Sequence, residues 1–113
     1  MLNFMGVSFK FHDIHSNLMC VNIWSSKHGI AKILLPVPYP LSVEPKTPFD
    51  IRYTVKNVGN VKDTIYGYLM VKNRELPGSR WSVNLPVNGT ITKNYRHPGI
   101  NVPTSIVLRA GYS

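Results

Sequence analysis

Hydrophobic and polar residues alternate strictly between positions 49 and 56. Phe49, Ile51, Tyr53 and Val55 fall on one face, and Asp50, Arg52, Thr54 and Lys56 on the other. Side chains on a strand point alternately to opposite faces, so this period of two predicts a half-buried strand. Asn57-Val58-Gly59-Asn60 follows, with residue types that tolerate positive φ and so predict a turn. A second strand is predicted over 64–72, where Ile65, Gly67, Leu69 and Val71 oppose Tyr66, Tyr68 and Met70. Both of its faces are apolar, which places it centrally in a sheet or beneath a neighbour that covers the tyrosines. Leu76-Pro77-Gly78-Ser79 breaks the pattern, and alternation returns over 81–85. Asn88-Gly89 predicts a type I′ hairpin turn joining a strand over 81–87 to one over 90–95, because both central positions of that turn need φ > 0. His97-Pro98-Gly99 punctuates again, and 105–112 predicts a last strand.

The first third reads as strand too. Val7, Phe9 and Phe11 alternate with Ser8 and Lys10, Cys20-Val21-Asn22-Ile23-Trp24 makes a second short run, and 31–35 a third. No stretch repeats apolar positions at the helical spacing over a dozen residues, so no helix beyond a turn or two is expected. Pro36, Pro38, Pro40, Pro45 and Pro48 then crowd one segment. Each removes a backbone donor and fixes φ, which excludes a central strand there and predicts an extended edge or a stiff connector. About eight short strands at regular spacing, with turns between them, predict an all-β sandwich.

Composition bounds the size and the chemistry. At 113 residues the chain supports one domain, expected to bury roughly two-thirds of its unfolded surface. No apolar run approaches the ~20 residues of a membrane helix, so no membrane role is expected. The N-terminal residues lack the pattern of a secretory leader. One cysteine cannot close an internal disulfide, and Cys20 sits in an apolar run where a buried, inert thiol is expected. The formal net charge of +8 raises a nucleic-acid reading, but the basic residues are dispersed singly, and a phosphate-tracking groove needs them clustered. Lys72, Arg74 and Arg80 flank one loop and form the best local basic patch. Solubility with edge protection, and attraction to an acidic protein surface during assembly, both rank above nucleic acid as its use.

Residues for catalysis are scarce. The acids are Asp13, Glu44, Asp50, Asp63 and Glu75, and none pairs with another as a glycosidase requires. His12-Asp13-Ile14-His15 is the one local group of metal-ligand types, but positions three apart on a strand face opposite ways. No phosphate-binding glycine loop occurs, and a Cys–His nucleophile lacks a supporting pattern. The expectation is a protein without enzymatic activity, cofactor or metal. Trp24, Trp81, Tyr66 and Tyr68 offer either a sugar-stacking platform or core packing, and at least one Trp is expected inside. Asn88-Gly89-Thr90 matches a glycosylation acceptor, which its turn chemistry already explains.

Two stretches resemble known families. Leu41-Ser42-Val43-Glu44-Pro45-Lys46-Thr47-Pro48-Phe49, running on to Tyr53-Thr54-Val55-Lys56-Asn57-Val58-Gly59-Asn60, resembles CARDB-type and related immunoglobulin-like modules, in which an alternating strand ends in V-x-N-x-G-N. That resemblance covers about residues 31–113 and implies an immunoglobulin-like antiparallel β-sandwich used for adhesion, spacing or display. Val7-Ser8-Phe9-Lys10-Phe11-His12-Asp13-Ile14-His15-Ser16 resembles the opening of tailed-phage distal tail proteins, with Val21-Asn22-Ile23 and Leu34-Leu35-Pro36 falling where that family continues. It departs at Asp13 and Cys20, where that family favours glycine, and it implies a structural turn at His15 and Ser16.

Together these give one domain over 1–113, with 1–30 as an N-terminal β extension or hairpin and 31–113 as the immunoglobulin-like module. The first expectation is a structural, assembling virion component of a tailed virus, in the tail, the baseplate or as a capsid decoration. Its partners would be other structural proteins or copies of itself. The alternative is an adhesion module at a cell surface that binds a carbohydrate or a surface protein. Contacts are expected from the apolar start, Met1, Leu2, Phe4 and Met5, and from the proline-rich strip, Pro36, Pro38, Tyr39 and Pro40. Lys72, Arg74 and Arg80 complete that set.

Overall fold

The computed structural model of the chain describes residues 5–14, 17–25, 39–43 and 46–112, and every regular element among them is a β-strand. The strands are β1 (Met5–Asp13), β2 (Leu18–Ser25), β3 (Tyr39–Val43), β4 (Phe49–Asn57), β5 (Asp63–Val71), β6 (Arg74–Glu75), β7 (Trp81–Leu85), β8 (Thr90–His97) and β9 (Thr104–Tyr112). They form two sheets. The larger runs β3-β1-β9-β5-β6, with β7 also paired to β5, and the smaller runs β2-β4-β8. The predicted strand over 31–35, together with Met1, Leu2, Phe4, Pro36 and Pro38, lies outside the described residues.

The strands bury the faces that alternation assigns them. Phe49, Ile51, Tyr53 and Val55 of β4 are each at most 1% exposed and meet Ile65 and Leu69 of β5 and Ile106, Leu108 and Ala110 of β9 in one core. β5 is central, as its two apolar faces predict, with β9 on one side and β6 and β7 sharing the other. On β2 the register slips between Cys20 and Asn22, and this bulge lets Cys20 and Ile23, three positions apart, both turn inward. β1 lies inside the sheet, between β3 and β9, and sends Val7, Phe9 and Phe11 into the core. β3 is an edge strand carrying Pro40, where a missing backbone donor is tolerated. Met5 opens β1 opposite Val43, and Tyr39 and Pro40 pair with Phe9 and Ser8.

Two expectations are corrected. The sheets are not wholly antiparallel: β1 runs parallel to β9, from Val7 opposite Thr104 to Asp13 opposite Ala110. The two strands are joined through most of the chain, so no tight turn dictates their relative direction. Nor do β7 and β8 make a hairpin. β7 pairs with β5 and β8 with β4, so the turn between them crosses from one sheet to the other. Gly89 N donates to Pro86 O at 2.8 Å, and of the central pair Asn88-Gly89 only Asn88 has positive φ, at 64°. Positive φ at the third position of a four-residue turn is the type II arrangement, which does not close a two-residue hairpin. Asn57 holds the crossing in place: its N–H donates to Gly89 O at 2.9 Å and its C=O accepts from Asn88 N at 2.8 Å.

His97 closes the far end of β8. It is buried, stacks on Phe49 with ring centroids 4.9 Å apart, and accepts from Gly99 N through Nδ1 at 3.0 Å. Burial lowers its pKa below the ordinary 6.5, so the folded chain favours the neutral ring. The unfolded chain then binds more protons as pH falls below 6.5, and stability must fall with it. Urea midpoints are expected to hold above pH 7 and to drop between pH 7 and about 5.5, above the range where carboxylates titrate. His97→Asn, which keeps an acceptor for Gly99, should flatten that slope. An unchanged slope in the variant would place the effect on another group.

Candidate functional site

The outward face of the larger sheet gathers basic side chains that are far apart in sequence. On β1 the positions opposite Val7, Phe9 and Phe11 are Ser8, Lys10 and His12; on β9 the positions opposite Ile106 and Leu108 are Ser105, Val107 and Arg109. The parallel register sets Lys10 beside Val107 and His12 beside Arg109. The antiparallel register with β5 extends both rows, Val107 to Met70 and Arg109 to Tyr68. Lys72 follows β5 with φ at 51°, and with Asn73 at 64° it bends the chain sharply toward β6. The result is a groove of about 660 Å3 walled by Lys10, His12, Lys72 and Arg109, with Val107 and Met70 among its apolar lining. Among the described residues no carboxylate lines it. A smaller hollow along Gly6, Ser8 and Ser105 shares Pro103, Thr104 and Ser105 with it.

Beside the groove stands an aromatic pair. Tyr66 and Tyr68 stack with centroids 6.4 Å apart and planes 8° from parallel. Arg80 lies over Tyr68 at 4.2 Å and is held there by Glu75, with bonds of 3.2 and 2.6 Å to the two carboxylate oxygens. The Arg80 hydrogen bond holds the Glu75 carboxyl below the usual carboxylate range. Arg109 stands 5.9 Å from the same Tyr68 ring, and its Nη1 donates to the Met70 sulfur at 3.6 Å. Its Nε is buried without a hydrogen-bond acceptor.

The residues singled out from sequence therefore separate. Lys72 joins the groove, Arg80 turns onto the tyrosines, and Arg74 is exposed on β6. Lys10, His12 and Arg109 were not foreseen as a group. Each lies on the polar parity of its strand, but only the register between β1 and β9 brings them together. Trp81 is buried, with Nε1 donating to Tyr53 Oη at 2.6 Å, and burial pushes the Tyr53 phenol up to about 12. It therefore offers no stacking platform; the side chain of Trp24 lies outside the described set. Of the candidate metal ligands, His12 faces outward, Asp13 accepts from Leu18 N at 2.9 Å to cap the start of β2, and His15 is outside the described residues. Among the described residues no three His, Cys, Asp or Glu side chains come together.

Comparison with protein-family models, with curated proteins and with solved structures finds no match for this chain.

Proposed function

We propose that the chain is an immunoglobulin-like assembly module without enzymatic activity, working as a virion component of a tailed virus through protein–protein contacts. The observation that carries the assembly reading is the basic outward face of the larger sheet. It stands on β1, β9 and β5, strands paired on both sides, and so is a rigid surface for a partner. The immunoglobulin-like part of the reading draws on the strand order, in which β4 and β8 lie in one sheet while β5, β7 and β9 lie in the other. It draws also on Asn57 and Gly59, the V-x-N-x-G-N residues, which tie the end of β4 to the turn that follows. The placement in a virion rests on the resemblance of 7–36 to distal tail proteins.

The adhesion alternative is less favoured, since Trp81 is buried and Arg80 lies over the Tyr68 ring. Light scattering behind a sizing column, at low and moderate salt, tests the assembly reading. A discrete oligomer, whose mass is a fixed multiple of the chain, is expected. A monomer at every concentration and salt would overturn self-assembly.

A further inference from the structure

We propose that the groove walled by Lys10, Lys72 and Arg109 is a docking site for acidic side chains of a partner protein, a carboxylate being held by the three cations while its aliphatic stem packs on Val107 and Met70. This deepens the assembly reading by naming the chemistry of the partner, and it rests on that reading. The first argument is charge. Two lysines and an arginine share one groove that no carboxylate among the described residues lines, so in the free chain their like charges repel and an incoming anion relieves them.

The second argument is the state of Arg109. Arg80 has both oxygens of Glu75, and Arg96 has Asp50 across the strand pair at 3.2 Å. Arg109 has a thioether and the Tyr68 ring 5.9 Å away, with Nε buried and unpaired. A guanidinium carries five donors in a fork that matches a carboxylate, and a buried donor left without an acceptor is costly. An acidic side chain supplies what the fold withholds.

The third argument concerns which anion. A single-stranded nucleic acid needs a track of cations and free aromatic faces on which bases stack. Here the cations converge on one groove, while Tyr66 and Tyr68 stack on each other and Arg80 covers Tyr68. The lining between the cations is apolar, at Val107 and Met70, which suits the methylene stem of Glu and not a sugar-phosphate chain.

The test is a titration of the full chain at low salt, followed by amide NMR shifts. The probes are a terminally blocked hexapeptide of alternating Glu and Leu and, separately, a ten-nucleotide oligothymidylate. The peptide is expected to saturate, with shifts concentrated at residues 8–12, 70–73 and 105–109. Lys10→Gln with Lys72→Gln, two exposed positions whose replacement leaves the core untouched, should weaken it by about ten-fold or more. Arg109→Met should do the same. The control pair Lys56→Gln with Lys62→Gln removes equal charge elsewhere and should change affinity by less than about two-fold. Equal losses in the two pairs, or no saturation by the peptide at millimolar concentration, would overturn the proposal. So would tighter binding of the oligothymidylate that the same groove variants abolish. Because the titration reads binding by the free chain, it can succeed on a monomer, and the sizing experiment can succeed where the groove fails.

Discussion

Asn57→Ala is expected to lower the stability of the fold by about 3–5 kcal/mol, since Val61 O, Leu85 O and Gly59 N each lose a bond while the Tyr112 hydroxyl falls back on Asn17 O, and each buried orphan costs roughly 1–3 kcal/mol. Asn57 is fully buried and uses every polar atom it has. Its Nδ2 donates to Val61 O at 3.0 Å and to Leu85 O at 3.1 Å. Its Oδ1 accepts from Gly59 N at 2.9 Å and from the Tyr112 hydroxyl at 2.9 Å. One side chain thus ties the turn after β4, the end of β7 and the end of β9, while its backbone holds the turn into β8. Water can reach part of this network in the variant, which keeps the loss below the sum of the separate penalties. On the scale of about 5 °C per kcal/mol, a drop in Tm of about 15–25 °C is expected by calorimetry.

Asn57→Asp separates the bonding from the packing, because the shape is kept and only the two donors are lost. Its carboxylate would face the carbonyls of Val61 and Leu85, so burial raises its pKa in the folded state above the unfolded value of about 3.9. The folded chain then binds the extra proton, so the variant's deficit relative to the natural chain should shrink as pH falls from 7 toward about 5. That sign is opposite to the one expected from His97. A variant equal to the natural chain at pH 7 would show that the two bonds donated by the amide matter little.

The strands that alternate most strictly were legible in the sequence, and the reason is physical. Each of β4, β5 and β9 has one face in the core, and a one-residue slip would expose Ile51, Leu69 or Ile106. Asn57 was legible only as a turn former, since nothing local shows that its amide would reach Leu85, 28 positions on. The turn at Asn88-Gly89 was misread for the same reason. Local residues fit a hairpin, but Leu85 is drawn to pair with Asp63 and Thr90 with Lys56, in different sheets. The groove was hidden more deeply. Parity places Lys10 and Arg109 on outward faces, yet only the parallel register of β1 on β9, a long-range pairing with no turn signal, makes them neighbours.

Gly67→Ala should destabilise the protein, although exchanging Gly for Ala inside a strand ordinarily gains roughly 0.5–1 kcal/mol. Gly67 lies opposite Trp81 in the β5–β7 pair, and the indole covers its α-carbon. A β-carbon there would stand 2.5 Å from Cζ2 and 2.7 Å from Cε2 of the ring, closer than such atoms approach. The ring cannot yield freely, because its Nε1 donates to the buried Tyr53 hydroxyl on the opposite sheet at 2.6 Å. Moving it breaks a buried side-chain hydrogen bond that joins the two sheets. Overpacking of this kind costs about 1–3 kcal/mol. Trp81→Ala removes both the ring and the bond and should cost about 3–5 kcal/mol. The double variant tests the geometry itself: with the indole gone, the added methyl enters space the ring has left. Its loss is therefore expected to fall short of the two single losses together by about 1 kcal/mol or more. Urea unfolding of the four proteins measures this directly. Losses that simply add, or a Gly67→Ala variant more stable than the natural chain, would mean that the indole does not rest on Gly67.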